Sequence, residues 1–182
     1  MSSLEELRQQ AAADPEIPEG VRNFLIAGAT LDEIRLDAYG RWFHQGEPFV
    51  NVKLANLFHQ SLHRTQAGTW LLRIPPYTYP VSVELTNLFI KSFKDDTSAP
   101  KASIVGRPDH TPIVDLTQIY SDGEELLACR IDGKPARIVD VAYRDLLEKL
   151  DEDNGKYVVR FRNKVVPILP LPDDFFNDSG EN

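Results

Sequence analysis

The fold is decided by a stretch that occurs twice, Gly46-Glu-Pro-Phe-Val-Asn-Val-Lys-Leu-Ala55 and Gly133-Lys-Pro-Ala-Arg-Ile-Val-Asp-Val-Ala142. Aligning Gly46 with Gly133 sets an offset of 87 residues (133 − 46). Glycine and proline fix the backbone geometry of turns, and alanine allows a close contact between a helix and a sheet. Residues of these kinds match at the same offset without a gap, and an arginine pair matches with them: Pro48 with Pro135, Ala55 with Ala142, Gly68 with Gly155, Arg73 with Arg160 and Pro80 with Pro167. The matches predict a duplicated structural unit.

Each copy is predicted to be a hairpin–helix–strand–strand unit. The helices are expected over residues 51–65 and 139–150, each with an apolar stripe and each followed by a glycine turn and two strands. The stripes match better at an offset of 88, which indicates that the two helices start one residue apart. The fold class is therefore α+β, with a twisted, mainly antiparallel sheet, helices packed on it and short N-terminal helices.

The predicted organisation has five parts. An N-terminal helical arm covers residues 1–29, the first repeat unit 30–95, a connecting segment 96–119, the second repeat unit 120–172 and a disordered acidic tail 173–182. Ser3 and Glu6 have the spacing of a capping box, which predicts a helix start at Ser3.

Composition limits the classes of function. The chain has 182 residues, 42% of them hydrophobic, as expected for a folded globular protein. Its net charge of −8 argues against general nucleic-acid binding, because phosphate contacts require basic residues. The single cysteine, Cys129, and the absence of a basic leader or a long apolar run lead us to expect a cytoplasmic protein without a membrane segment. No motif indicates a metal or a cofactor.

The stretch Asp37-Ala-Tyr-Gly-Arg-Trp-Phe-His-Gln-Gly-Glu-Pro48 resembles a family of short bacterial proteins of unknown function, DUF1285. The resemblance covers about residues 33–170, and its specific positions are Gly40, Trp42, Gly46 and Pro48. It implies an α+β fold with repeated structural motifs and a role in signal transduction. It implies no catalytic residues.

Two groups of residues are candidates for a binding site. Arg73 and Arg160 occupy equivalent strand positions, so a pseudo-twofold would let them share an anion; alternatively, each pairs with a nearby acid. The second group is an aromatic concentration in the first repeat, formed by Trp42, Phe43, Tyr77 and Tyr79, where the second repeat has Cys129, Arg130, Lys164 and Val166. With the candidate His44 beside it, this group forms either a binding cleft or core.

Two histidines and the cysteine are interpreted as structural. His59 and His63 have a zinc-ligand spacing on the predicted helix, but they lie opposite its apolar stripe and no third ligand follows, so we expect a solvated face. Cys129 lies in a predicted strand and is expected to be a buried apolar residue.

The leading hypothesis is a non-enzymatic module that binds a small anionic ligand or a protein partner, with its pocket where the repeats meet. The alternative is an enzyme of unknown reaction, which would require His44, His59 or His63 to meet an acid in a cleft. A third hypothesis is nucleic-acid binding through Arg160, Arg162 and Lys164.

Overall fold

The chain divides into two units between Asn87 and Leu88 in the computed structural model, which describes residues 4–177. The first unit begins with two helices, α1 (Leu4–Ala13) and α2 (Glu19–Ile26). Its remaining elements are β1 (Ile34–Leu36), β2 (Trp42–His44), β3 (Glu47–Pro48), α3 (Val52–Ser61), β4 (Leu62–Arg64), β5 (Trp70–Ile74), β6 (Tyr77–Pro80) and β7 (Ser82–Val83). The strands form two sheets, in the orders β3-β2-β1-β7 and β4-β5-β6.

The described part of the second unit, residues 88–177, contains one helix and one large sheet. Its elements are β8 (Phe89–Phe93), β9 (Ala102–Ile104), β10 (Ile119–Ser121), β11 (Leu127–Ile131), β12 (Lys134–Ile138), α4 (Asp140–Leu147), β13 (Leu150–Asp153), β14 (Lys156–Phe161) and β15 (Lys164–Pro170). The sheet order is β13-β14-β15-β10-β11-β12-β8-β9. Most strand pairs are antiparallel; β1–β7, β10–β15 and β8–β12 are parallel. The α+β class with mainly antiparallel sheet is thus confirmed. The described helices are all too short to cross a membrane.

Strand pairing in the two units agrees with the offset found in the sequence. Phe43 pairs with Pro48 in the hairpin β2–β3, and Arg130 pairs with Pro135 in the hairpin β11–β12. All four residue pairs between β5 and β6 recur between β14 and β15 at the offset of 87. These strand pairs have the registers that the offset of 87 predicts, because turn geometry fixes how neighbouring strands align. The pairs Leu36–Trp42 and Ser121–Leu127 are 85 residues apart instead (121 − 36), so the duplication stays a prediction.

The helices are displaced by one residue relative to these hairpins. Helix α3 begins at Val52 and α4 at Asp140, which is the offset of 88 that the apolar stripes indicated. The displacement is reversed after the helix. Five residues separate the paired Arg64 and Trp70, whereas four separate the paired Glu152 and Tyr157.

Both helices are shorter than predicted, and a strand follows each. Helix α3 ends at Ser61 rather than residue 65, since Leu62 is extended and pairs with Leu72. Helix α4 ends at Leu147, and β13 begins at Leu150. Leu62 lies four residues after Phe58, and Leu150 four residues after Leu146, which is the spacing of neighbours on one helix face. The same spacing also occurs when the second leucine is the first residue of a strand that packs on the same core.

Three other expectations differ from the structure. The three prolines among residues 75–80 predict a stiff turn, but strand β6 begins at Tyr77 within that segment, because Ile74 already pairs with Tyr77. Strand β8 pairs with β12 and belongs to the second unit, whereas the sequence placed it in the first. The tail is ordered at its start, since Phe175 is buried against Tyr120. Residues 178–182 and the proposed cap Ser3 lie outside the described residues.

The core of the second unit lies between α4 and the sheet. Ala142 and Leu146 from the helix pack with residues of β14 and β15 that include Val159 and Val166, all four nearly inaccessible to solvent. The first unit has a smaller cluster of Ala11, Ile17, Leu25 and Leu71, in which the N-terminal helices cover β5. Burial of such side chains contributes about 1.5–3 kcal/mol each.

A buried polar network holds the N-terminal arm on the first unit. The Asp14 carboxylate, 1% exposed, accepts a hydrogen bond from Thr65 Oγ1 at 2.5 Å and one from the Glu16 backbone N–H at 2.9 Å. Glu16 in turn accepts from the Gln66 backbone N–H and lies 3.6 Å from the guanidinium of Arg73. Burial favours a raised pKa for Asp14, but the hydrogen bonds from Thr65 and from the Glu16 backbone, together with the Arg73 charge, outweigh it and hold the pKa below its ordinary value.

We expect Asp14→Asn to destabilise the protein by about 1–3 kcal/mol at pH 7, since an ionised, fully hydrogen-bonded carboxylate is lost. Because the folded-state pKa of Asp14 lies below its ordinary value of 3.8, its contribution is present above that value and disappears as the pH falls through the folded-state pKa. Urea unfolding at pH 7 and at about pH 3 measures both effects. Asp109→Asn, at an exposed aspartate, is the control. An equal loss at both pH values would contradict a role for the Asp14 charge.

Candidate ligand-binding cleft

The second unit contains a cleft of about 730 Å³ between α4 and the strands β10, β13, β14 and β15. Its floor and walls are mainly apolar or aromatic, formed by Leu127, Tyr143, Leu147, Leu150, Tyr157 and Ile168. Small-molecule sites in proteins are concave, largely apolar and of roughly 300–1,000 Å³. The cleft has the size and the lining of such a site.

Several of these side chains are unusually exposed for their type. Tyr157 is 65% accessible to solvent, Leu147 43% and Leu150 41%, although they come from three different elements. Single exposed apolar residues are common, but a cluster in a concavity is typical of an interaction site. The three residues therefore mark the cleft as surface that is available to bind.

The polar groups at the rim mainly hold the loop between β10 and β11. Asp122 Oδ1 accepts from the backbone N–H groups of Glu124 and Leu126, at 2.9 and 3.0 Å, and Ser121 Oγ accepts from the Gly123 N–H at 3.0 Å. The charged rim residues are two acids and one base, Asp122, Glu124 and Lys156. The lining offers mainly apolar contact, and the net negative rim disfavours an anion.

The same place in the first unit is filled by its own side chains. Trp42, 3% exposed, stands edge-on to Phe58 with ring centroids 5.3 Å apart and edge-on to His59 at 5.6 Å. Leu36 beside it is fully buried. The first unit therefore has a closed aromatic core where the second has an open cleft.

The predicted aromatic candidates do not share one surface. Trp42 is core, which is the alternative that the sequence left open. His44 is exposed at the end of β2, with its ring stacked 6.3 Å from that of Phe49. Tyr77 is 75% exposed. The Tyr79 hydroxyl accepts from the Asp32 N–H at 2.7 Å and donates to the Asp32 carbonyl, and burial raises its pKa.

Each of the two candidate arginines has an acidic neighbour in its own unit. Arg73 on β5 lies beside Glu16, with the closest N–O distance 3.6 Å. Arg160 on β14 donates to Asp151 on β13, which lowers the pKa of the Asp151 carboxyl and raises that of Arg160. These contacts fit the alternative that each arginine pairs with a nearby acid. The shared anion site stays a prediction.

The histidine interpretation requires a correction. His59 does not face water: it is buried, with Nε2 3.1 Å from the Gly40 carbonyl oxygen. His63 is not on the helix, because α3 ends at Ser61; its Nε2 lies 3.6 Å from a Glu16 oxygen. The two histidines therefore do not share one helix face, which the zinc-ligand spacing would require. His44, His59 and His63 all lie in the first unit and none lines the cleft.

Cys129 is in β11 and completely buried, as the sequence predicted. Burial raises the pKa of its thiol to about 12. A thiol that stays protonated at neutral pH is a poor nucleophile, so Cys129 acts as a small apolar core residue.

Sequence reasoning missed the cleft residues Leu147, Leu150 and Tyr157. A leucine on a helical stripe is expected to be core, and a tyrosine at the start of a predicted strand does not by itself indicate a cleft. The available signal lay in the substitutions between the two units. These substitutions indicate a cleft only after strand pairing has shown which residue of the second unit corresponds to Trp42.

Together the fold and the cleft define an α+β protein with a small-molecule-sized apolar site. The fold is similar to that of a DUF1285 family protein from Silicibacter pomeroyi DSS-3, with a TM-score of 0.53 and 14% identity over 76% of this chain and 80% of that chain. Another DUF1285 family protein, from Shewanella baltica OS155, has a TM-score of 0.46 and 20% identity over 64% of this chain and 91% of that one. A scan against family models and a search of curated proteins give no significant match. The chain thus resembles the DUF1285 family in its fold, as the sequence predicted.

We expect side-chain truncation to lower the free energy of unfolding more in the closed core around Trp42 than in the open cleft around Tyr157. Trp42→Ala removes a buried indole and should cost about 3–5 kcal/mol of stability. Tyr157→Ala removes an exposed ring and should change stability by about 0.5 kcal/mol or less. Urea unfolding followed by circular dichroism measures both. A similar loss in the two variants would mean that Tyr157 belongs to a core rather than to an open cleft.

Proposed function

We propose that this protein is a non-enzymatic binding module whose second unit takes up a largely apolar small molecule in the cleft beside α4. The observation that carries the proposal is the group of exposed apolar side chains, Leu147, Leu150 and Tyr157, around a concavity of about 730 Å³. A ligand that covers these side chains removes their apolar surface from water, which supplies about 25 cal/mol per Å².

The chemistry of the lining supports binding over catalysis. The polar rim groups Asp122 and Ser121 are engaged by backbone N–H groups of their own loop. The buried thiol of Cys129, whose pKa is raised to about 12, is unsuited to nucleophilic attack. A binding role needs only shape and apolar contact, and both are present in the cleft.

The rim also bears on the kind of ligand. Asp122 and Glu124 outnumber Lys156, so an uncharged molecule fits this site better than the anion first expected. The resemblance to DUF1285 implies a role in signal transduction, and within this proposal the cleft is the sensing site of such a role.

Fluorescence titration with the uncharged dye N-phenyl-1-naphthylamine tests the proposal. The dye becomes strongly fluorescent in an apolar site, so we expect saturable enhancement on addition of the protein. Tyr157→Ala and Leu150→Ala should each weaken binding about tenfold, because each removes roughly 1.5 kcal/mol of buried apolar contact.

The matched control is Tyr77→Ala, which removes a tyrosine of comparable exposure from the first unit, outside the cleft. This variant should bind the dye as the wild type does. Absence of binding by the wild type, or equal weakening by Tyr77→Ala and Tyr157→Ala, would refute the cleft as the binding site.

A further inference from the structure

We infer that the ligand presents a planar aromatic ring, which takes in the second unit the place that the Trp42 indole takes in the first. The inference rests on the proposed function and narrows its ligand class. It is drawn from a comparison of the two units, each considered by itself, through strand pairing and helix register.

Strand pairing identifies the counterpart of Trp42. In the first unit Leu36 on β1 lies between Trp42 on β2 and Val83 on β7. In the second unit Ser121 on β10 lies in the same way between Leu127 on β11 and Pro170 on β15. In both units five residues separate the paired ends of the loop that joins these strands, β1 to β2 and β10 to β11, so counted from this loop Leu127 corresponds to Trp42. Strand β11 has five residues and β2 has three, and for this reason the offset of 87, counted from the next turn, aligns Trp42 with Cys129 instead.

The hairpin loops support the same correspondence. Asp37 Oδ1 accepts from the backbone N–H groups two and four residues later, those of Tyr39 and Arg41. Asp122 Oδ1 accepts from the N–H groups two and four residues later in its own loop. Both aspartates directly follow the paired residues Leu36 and Ser121.

The helix and the strands after it supply the other walls. At the helix offset of 88, His59 corresponds to Leu147 and Leu62 to Leu150. In the first unit both residues are buried, whereas in the second both are more than 40% exposed. The same positions are therefore covered in one unit and open in the other.

The residue differences at the floor of the cleft reduce side-chain volume. Tryptophan is replaced by leucine at 127, and the neighbouring Leu36 is replaced by Ser121. Both changes remove side-chain volume from the centre of the place, while the walls remain apolar. An aromatic ring of a ligand would refill the volume that these two differences remove.

The surroundings suit an aromatic group. The Trp42 ring is held edge-on by two other rings, and the second unit lines its cleft with the rings of Tyr143 and Tyr157. Edge-on ring pairs add about 0.5–1.5 kcal/mol to area burial. Trp42 Nε1 is buried and has no hydrogen-bond partner among the residues that the structure describes, so packing alone holds this indole.

The first test is displacement of N-phenyl-1-naphthylamine from the wild-type protein by indole and by 1-octanol. The two competitors have the same number of non-hydrogen atoms, and octanol is the more apolar. If the cleft selects a ring, indole should displace the dye at about three- to tenfold lower concentration. If octanol is as effective or better, the ring inference is wrong while the proposed function stands. If the dye does not bind, the proposed function itself is wrong.

The second test fills the cleft from within the chain. Leu127→Trp supplies the indole as the first unit does, and it should weaken dye and indole binding at least tenfold. Ser121→Leu restores the counterpart of Leu36 and is the second filling variant, for use if the larger ring prevents folding. Circular dichroism verifies the fold of each. Wild-type affinity in a folded filling variant would overturn the assignment of the ring to this place.

A reciprocal variant tests the same inference in the first unit. Trp42→Ala should open a place that accepts free indole, so that indole raises the melting temperature of this variant more than that of the wild type. The control is Phe93→Ala in the second unit, which removes a ring outside both places. An equal indole effect on the two variants would argue against a ring-shaped place at Trp42.

Discussion

Each unit depends on one parallel strand contact, between the strand that precedes the hairpin and the last strand of the unit. In the first unit this contact pairs Leu36 with Val83, and in the second it pairs Ser121 with Pro170. The contact brings together segments almost fifty residues apart, and the hairpin, the helix and the following strands lie between them in the chain. Its register decides which side chains face the helix, because a slip of one residue would turn every side chain to the other face.

The same arrangement of paired strands around a helix encloses a filled core in the first unit and an open cleft in the second. With leucine and tryptophan at the centre, as at Leu36 and Trp42, the space between helix and strands is filled, and both side chains are buried. With Ser121 and Leu127 there, the space stays open and leaves Leu147 and Tyr157 exposed. Because neither change alters strand pairing, the frame tolerates both. A binding site can therefore form by loss of side-chain volume, without a new loop or a new element.

The parts of the fold that were predictable from sequence are those fixed by backbone geometry. Glycine and proline at a constant offset located the hairpins, since few other residues serve in those turns. The strands β4 and β13 were missed because Leu62 and Leu150 continue the helical spacing of apolar residues. His59 was assigned to the surface for the same reason: a polar residue beside an apolar stripe gives no sign that a carbonyl such as that of Gly40 lies within reach. The cleft was not predictable, because the sequence does not show which apolar side chains are left uncovered once the helix packs on the strands.

Exposed apolar surface around a cleft has a cost, since each uncovered leucine forgoes the roughly 1.5–3 kcal/mol that burial contributes. In the first unit the N-terminal arm covers Leu71, and the arm is held there by the buried Asp14–Thr65 hydrogen bond. In the second unit the side chains of Leu150 and Tyr157 remain uncovered. A ligand that covers this surface would offset the cost, and this argument underlies our proposal that the second unit, rather than the first, binds the ligand.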